Sequence, residues 1–548
     1  MFKLTFFSPN ITTQNKIFTA LFVGLAMAAC SNDDEMTTGV QDQSPVTGGT
    51  AYMSVSLNMP KSTGGTRTSG LDHGSTAEQK VGTVLLALFD ASDICVGTKT
   101  LSAGEYQLTV GGTPGTVGSA IQVPATTKTV LAVINPNTDF QNRCVVSAGW
   151  AAINAALATS VKDVIGTAED NFMMINAGDA TTHKALIDVS GYIKKVGDGY
   201  VDATNAKVAA VADPAVIYVE RVVAKVSLEE ASGGVMVMAP GATCTFGDWA
   251  LNVTNKDMFP FSEIVTPIGS MSANYRKDNN YAAGEFNKSK FNYLTLDSNG
   301  ALPADFTTMG VDKYCLENTM DATEQKMAQT TSAVVSAVYT PAGYTAGKSW
   351  FRLLGTSYEA LTDLQAVYTT AKTAVTDGSA SDLQKQQKTL CDEFYVRIAA
   401  MATAQSKTWN ASDFASLDID EMDAIVNGGE ASKPAVVPDP IDPVNNPDIV
   451  QDLGVEYFKE GTCYYSILIR HDDAVTGTME LGKYGVVRNN WYTLTIKSVK
   501  QPGTPWIPDP TNPIDPTDPG EDNDEAEAFL AVGITVNSWT TWSQGVDL

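Results

Sequence analysis

Histidine is nearly missing from this chain: three in 548 residues, His73, His183 and His471, far apart and without HExxH or any other metal-ligating spacing. Metal hydrolase chemistry therefore has no visible ligand set. No GxSxG elbow is present, and the Gly-rich stretch Gly111–Ala120 (GGTPGTVGSA) lacks the GK[ST] ending of a phosphate-binding loop, so it reads as a turn. The acidic run Asp418–Asp423 (DIDEMD) lacks the glycine and closing glutamate of a calcium loop and reads as a solvated helix face. Basic residues are scarce, 36 Lys and Arg against 62 Asp and Glu, for a net charge of -26. Without clustered cations the chain has no footprint for a phosphate backbone, which argues against nucleic-acid partners. Nothing in the composition calls for a cofactor, and the expectation is a protein that is not an enzyme.

Cysteine is also sparse. There are seven, and none is in CxxC spacing. Apart from Cys30 the six others, Cys95, Cys144, Cys244, Cys315, Cys391 and Cys463, sit mostly in apolar runs; disulfides and buried free thiols both stay open. Past the N-terminus no apolar run reaches the length of a membrane-spanning helix.

What is present begins with the leader. Lys3 and Lys16 precede an apolar run from Ile17 to Ala29, the core of a signal peptide, which ends Met27-Ala28-Ala29-Cys30. Small residues before a cysteine resemble a bacterial lipobox, which makes Cys30 the expected lipidation site. The following SNDDE resembles the acidic signal that sends Bacteroidetes lipoproteins to the cell surface. Any membrane contact would then run through the lipid of the precursor.

Next comes a clean alternation. In AYMSVSLNM the residues Met53, Val55, Leu57 and Met59 fall on one face and Tyr52, Ser54, Ser56 and Asn58 on the other, as in a half-buried strand. A small-residue loop follows and carries Arg67, within reach of a trypsin-like protease. From Val81 to about Val226 short β runs alternate with turn residues: VGTVLLALFD, TKTVLAVINP and PAVIYVERVVAKVSL. One helix is expected near 150–161. A second β-rich region starts near Lys225. Helical spacing over 357–426, with Leu361, Leu364, Val367, Tyr368, Ala371 and Val375, then Leu383, Leu390, Phe394, Ile398 and Met401, predicts two or three helices packed on that sandwich.

Two Asp-Pro tracts follow, 433–448 and 501–525. Proline at this density imposes extended, stiff chain; at ~3.1 Å per residue the second could span about 70 Å. Beyond it Leu530, Val532, Ile534 and Val536 alternate with Ala531, Gly533, Thr535 and Asn537, a second strand of the same design. Two such strands could compete for one groove. Loss of the first would leave a sheet edge open to β-augmentation by a neighbour's tethered strand.

YGVVRNNWYTLTIKSVK (Tyr484–Lys500), the Asp-Pro spacer, Thr535-Val536-x-x-Trp539 and the terminal Val546-Asp547-Leu548 together resemble the Mfa-type fimbrial subunits of Bacteroidales, type V pilins that include the FimA-like subunits. YVERVVAKV (Tyr218–Val226) and YCLENT (Tyr314–Thr319) resemble further motifs of that family. The resemblance implies a mainly β fold of two transthyretin-like β-sandwich domains, export as a lipoprotein through the outer membrane, and a cut by an arginine-specific protease between Arg67 and Thr68, with Arg143 and Arg221 poorer candidates. It also implies a homopolymer of identical subunits joined by strand exchange, with tip and anchor subunits as further partners, and a role in adhesion. The organisation expected is a signal peptide over 1–30 and a propeptide with its groove-filling strand over 31–67. Sandwiches follow over 68–224 and 225–500, the second with a helical insertion at 357–426, then a spacer over 501–528 and a donor strand over 529–548. Leu530, Val532, Ile534 and Val536 would supply the knobs, with Trp539 either plugging the groove mouth or serving as a core residue of its own domain. A second reading, a surface lipoprotein that binds glycans and keeps its lipid without polymerising, uses the same leader.

Overall fold

The computed structural model describes residues 50–59, 74–110, 113–178, 184–265, 275–282, 287–294, 302–426, 454–472, 479–507 and 530–538. Period-two runs of Val, Leu and Ile make it a mainly β protein. The N-terminal alternation forms β1 (Ala51–Met53) and β2 (Val55–Asn58). After them come β3 (Val84–Phe89), β4 (Cys95–Leu101), β5 (Tyr106–Val110), β6 (Ile121–Val123) and β7 (Thr129–Ile134), then β8 (Met174–Asn176), β9 (Lys194–Lys195) and β10 (Ala215–Arg221). The large sheet runs β4-β3-β7-β8-β10-β2-β5, and a smaller one runs β9-β1-β6. Both enclose a core built on Leu86, Leu88, Val130, Phe172, Ile217 and their neighbours.

The run read as one long β stretch, Ala215–Leu228, is two strands. The chain leaves the first sheet after Arg221, passes the buried Val222, and starts β11 (Val223–Glu230) in a different sheet. There β11 pairs with β13 (Lys313–Leu316) and, in parallel, with β19 (Asn490–Val499), which also pairs antiparallel with β20 (Leu530–Ser538). Facing it is a sheet of β12 (Thr243–Asn252), β14 (Ser332–Thr340) and β18 (Thr462–Leu468). Trp249, Val335, Tyr465, Tyr492 and Leu494 fill the space between.

The helices depart from expectation in three places. No helix spans 150–161: one-turn helices at Trp150–Ile153 and Val161–Ile165 flank a short strand, Leu157–Ala158, that pairs with Asp257–Met258. A ten-residue helix, α1 (Ala203–Ala212), lies where turn residues were expected, capped by Asp202 and too rich in alanine to show an apolar stripe. The insertion holds α2 (Leu361–Thr376), α3 (Asp382–Ala404) and α4 (Ile419–Asp423), but these do not pack on the main sandwich. They cover a sheet of their own, β15 (Trp350–Leu353), β16 (Thr356–Tyr358) and β17 (Glu456–Phe458), through Leu364, Tyr368, Phe394, Ile398, Phe351 and Tyr457. Val375 and Leu383, expected on the buried stripe, are exposed, because each lies near the hairpin between α2 and α3, beyond the small sheet. The six cysteines are free thiols, five of them buried.

Where the two β regions meet, charge is buried in pairs. Arg488 Nε lies 3.3 Å from Glu317, both side chains at 1% exposure or less, and its Nη1 and Nη2 donate to the carbonyls of Pro260 and Phe259. Arg276 Nη2 lies 2.7 Å from Glu220. Burial pushes Glu220 up to about 7 against the pull of that arginine, and among the described residues its second oxygen has no hydrogen-bond partner. Burial also pushes Asp278 up to about 7. Lys225 reaches Glu78 at 3.1 Å and Asp312 at 2.8 Å while its ammonium stands 4.0 Å from the Trp491 ring centre. The family-like motifs YVERVVAKV, YCLENT and RNNW supply most of these groups, so what they encode is the polar joint between the two sandwiches.

His471 sits nearby, buried, with Nδ1 2.8 Å from Tyr492 Oη. That hydroxyl also accepts from the Val487 N–H, and in the neutral imidazole Nδ1 can accept its proton. Burial pushes His471 down to about 4 from an ordinary 6.5, so the neutral form's stabilisation is complete above pH 6.5 and is lost as the pH falls toward 4. At about 1.4 kcal/mol per pH unit the loss over that window is ~3 kcal/mol. Glu220 and Asp278, raised rather than lowered, act with the opposite sign. The test is therefore differential: urea melts of wild type and His471→Gln between pH 7 and 4.5 should diverge, with wild type losing stability faster on acidification. Parallel curves would refute it.

Candidate functional site

The N-terminal strand is the most unusual element of the first sheet. Its two halves serve two sheets. Ala51–Met53 lies antiparallel between β6 and β9, and Val55–Asn58 lies parallel between β10 and β5. Both flanks are bonded throughout: Val196 N–H donates to Thr50 O (2.9 Å), Ala215 N–H to Ser54 O (2.8 Å), and Met59 N–H to Thr109 O (2.9 Å). It is an interior strand, not an edge.

Met53, Val55, Leu57 and Met59 are 0–3% exposed and belong to the first core. At about 1.5–3 kcal/mol per buried apolar side chain, they make a tightly held segment. The other face was expected to be polar and wet, and it is not. Tyr52 is 6%, Ser54 0% and Ser56 5% exposed. Helix α1 roofs Tyr52 with Ala206 and Ala210, and Lys207 Nζ stands 5.1 Å from its ring centre. Ser54 Oγ donates to Gly118 O at 3.3 Å. The Gly-rich turn thus has a packing reason: a Cβ on Gly118 would lie 2.6 Å from Tyr106 Cα, so only glycine lets this stretch press against β5 and wall the seat.

Without residues 51–59, β5 would lose its link to the rest of the large sheet, and β6, β9 and β10 would each expose an unpaired edge above an apolar trough. The chain on the far side of the 60–73 stretch is anchored separately. Glu78, 1% exposed, accepts from Tyr314 Oη at 2.6 Å, from Lys225 and from Ser75 N–H, while its carbonyl accepts from Arg221 Nε at 3.0 Å. Burial raises its carboxyl, but the Tyr314 hydrogen bond and the Lys225 charge outweigh that and hold it below the usual value. Sequence gave no sign of Glu78: its partners lie 143 and 236 residues away.

Cys30, Arg67, Thr68 and Trp539 fall outside the described residues. The chain has eight arginines, and the seven described ones are all buried or partly buried. Arg221 is 1% exposed within β10, and Arg143 donates to the carbonyls of Ala155 and Ala156. Leu530, Val532, Ile534 and Val536 lie on β20, whose backbone pairs with β19 from Asn490 to Val499. The structure therefore does not bring the two alternating strands together within one subunit. Among the described residues no group of three or more His, Cys, Asp or Glu is placed to hold a metal ion, and no helix is long and apolar enough to cross a membrane.

Residues 456–545 match the family model for the C-terminal region of fimbrillin, major fimbrial subunit protein type IV. Among solved structures, a fimbrilin from Porphyromonas gingivalis is 15% identical, with 90% of this chain and 98% of that one covered and a TM-score of 0.34. The tip fimbrial protein Mfa3 from the same organism is 11% identical, with 85% and 96% covered and a TM-score of 0.31. A protein with a suggested cell-adhesion role from Parabacteroides distasonis is 13% identical, with 89% and 96% covered and a TM-score of 0.36. No curated protein sequence matches the chain.

Proposed function

From the fimbrillin C-terminal region at residues 456–545, we propose that this chain is a fimbrial subunit that polymerises by strand exchange. It is exported as a lipoprotein through Cys30, cut between Arg67 and Thr68, and released from residues up to Arg67, which empties the seat of β1 and β2. The C-terminal strand of another copy, carried on the Asp-Pro spacer, fills it. The observation that carries this reading is that Ala51–Met59 is an interior strand with both flanks bonded, followed in sequence by the stretch 60–73 that carries Arg67. Arg67 lies between that strand and the Glu78 anchor, so a cut there severs the strand's covalent link and leaves the new N-terminal region held at the polar joint. The burial of the other arginines supports the choice of site. Adhesion would be a property of the assembled fimbrium.

The test uses residues 31–548, treated with an arginine-specific endoprotease. The expected result is a new N-terminus at Thr68, loss of residues 31–67 from the folded protein, and ladders on SDS gels that collapse on boiling. Cleavage at Arg67 that leaves a permanent monomer would sink the proposal. Ladders from uncut protein would show that the seat is not the joint.

A further inference from the structure

Two nine-residue stretches at opposite ends of the chain read alike position by position: AYMSVSLNM at 51–59 and AFLAVGITV at 528–536. Aligned in the same direction, every large residue meets a large one and every small residue a small one. Phe529 falls on Tyr52, Leu530 on Met53, Val532 on Val55 and Ile534 on Leu57; on the other face Ala531 falls on Ser54 and Gly533 on Ser56.

The second face decides the direction. Ser54 and Ser56 are both buried, and the wall beside Ser54 is the carbonyl of Gly118, itself pressed on Tyr106. Backbone that is already in contact cannot retreat to admit a larger side chain. Ala531 and Gly533 are no larger than the serines they would replace. Reversing the incoming strand about the same apolar face puts Thr535 in the place of Ser54, adding a methyl against that wall. It also puts Asn537 in the place of Tyr52, an amide under the Ala206–Ala210 roof where an aromatic ring now packs.

We infer that the incoming strand enters in the same direction as the strand it replaces, parallel to β5 and β10, with Val532 at the Val55 position and Thr535 at the Asn58 position. This rests on the assembly reading and specifies its register. Gly533 and Ala531 then act as the residues that admit this segment and reject bulkier ones. The backbone bonds that Ser54 O and Met59 N–H make to β10 and β5 are available to any residue except proline at the donor position, and Ala531 and Val536 supply them.

Asn58 is paired with Thr109 of β5, so Thr109 is the reporter. Two variants of residues 31–548 are compared, Thr109→Cys with Thr535→Cys and Thr109→Cys with Ala531→Cys, each cut at Arg67, allowed to assemble, oxidised and boiled in SDS without reductant. The inferred register predicts reductant-sensitive multimers that survive boiling in the first variant and none in the second. Multimers only in the second would overturn the direction, and ladders without crosslinks in either would overturn the register. Failure of cut wild-type protein to form any ladder would instead bring down the assembly reading with it. As a check that does not depend on new cysteines, Gly533→Leu should lose ladders while its circular dichroism as an uncut monomer is unchanged; wild-type ladders would count against the packing argument.

Discussion

Val532→Asp is expected to abolish SDS-resistant ladders while leaving the uncut subunit folded. In the proposed seat the residue would take the place of Val55, which is wholly buried between β5 and β10 in an apolar cluster. An unpaired carboxylate there costs several kcal/mol, or it must take up a proton to enter. The same change within the subunit falls on β20, which among the described residues pairs with β19 alone. Gel ladders after cleavage, with thermal melts of the uncut protein alongside, separate the two effects. Ladders of wild-type length would mean that another segment fills the seat.

Arg488→Ala should be the most destabilising single change at the polar joint, by about 3–5 kcal/mol. The guanidinium balances the buried Glu317 and satisfies the carbonyls of Pro260 and the half-buried Phe259, so its loss leaves a buried carboxylate without its counter-charge and takes a donor from each of two carbonyls. The backbone N–H of residue 488 still donates to Glu317 at 3.1 Å, which cannot neutralise the charge. Urea melts of the single variant and of Arg488→Met combined with Glu317→Leu give the comparison: the double variant should recover part of the loss. A single variant as stable as wild type would show that the pair contributes little to holding the joint.

Alternation of Met53, Val55, Leu57 and Met59 was enough to read a strand, because period two is a property of the backbone. That Tyr52, Ser54 and Ser56 are also enclosed was not legible, since serine and tyrosine are ordinary on a wet face and the roof over them comes from α1, some 150 residues on. That helix escaped notice for a related reason: alanine at Ala206 and Ala210 buries against Tyr52 without making a hydrophobic stripe. The break at Val222 divides what reads as one β run, and the sheets on either side are what reveal it. Helical spacing found Leu364, Tyr368, Phe394 and Ile398, but gave no hint that the insertion brings its own three strands to cover. Nothing local pairs the charges of the joint, as Arg488 and Glu317 stand 171 positions apart. Residues whose role depends on one distant partner are the ones that a linear reading passes over.

Because the seat grips its occupant along both flanks, with bonds running across the strand axis, direction of load matters. A pull along the strand strains every rung at once, in shear, whereas a sideways peel would open them one after another. Subunits joined through this seat and tethered by the proline-rich tract would transmit tension along the strand, so the joint would resist stretching far better than prying.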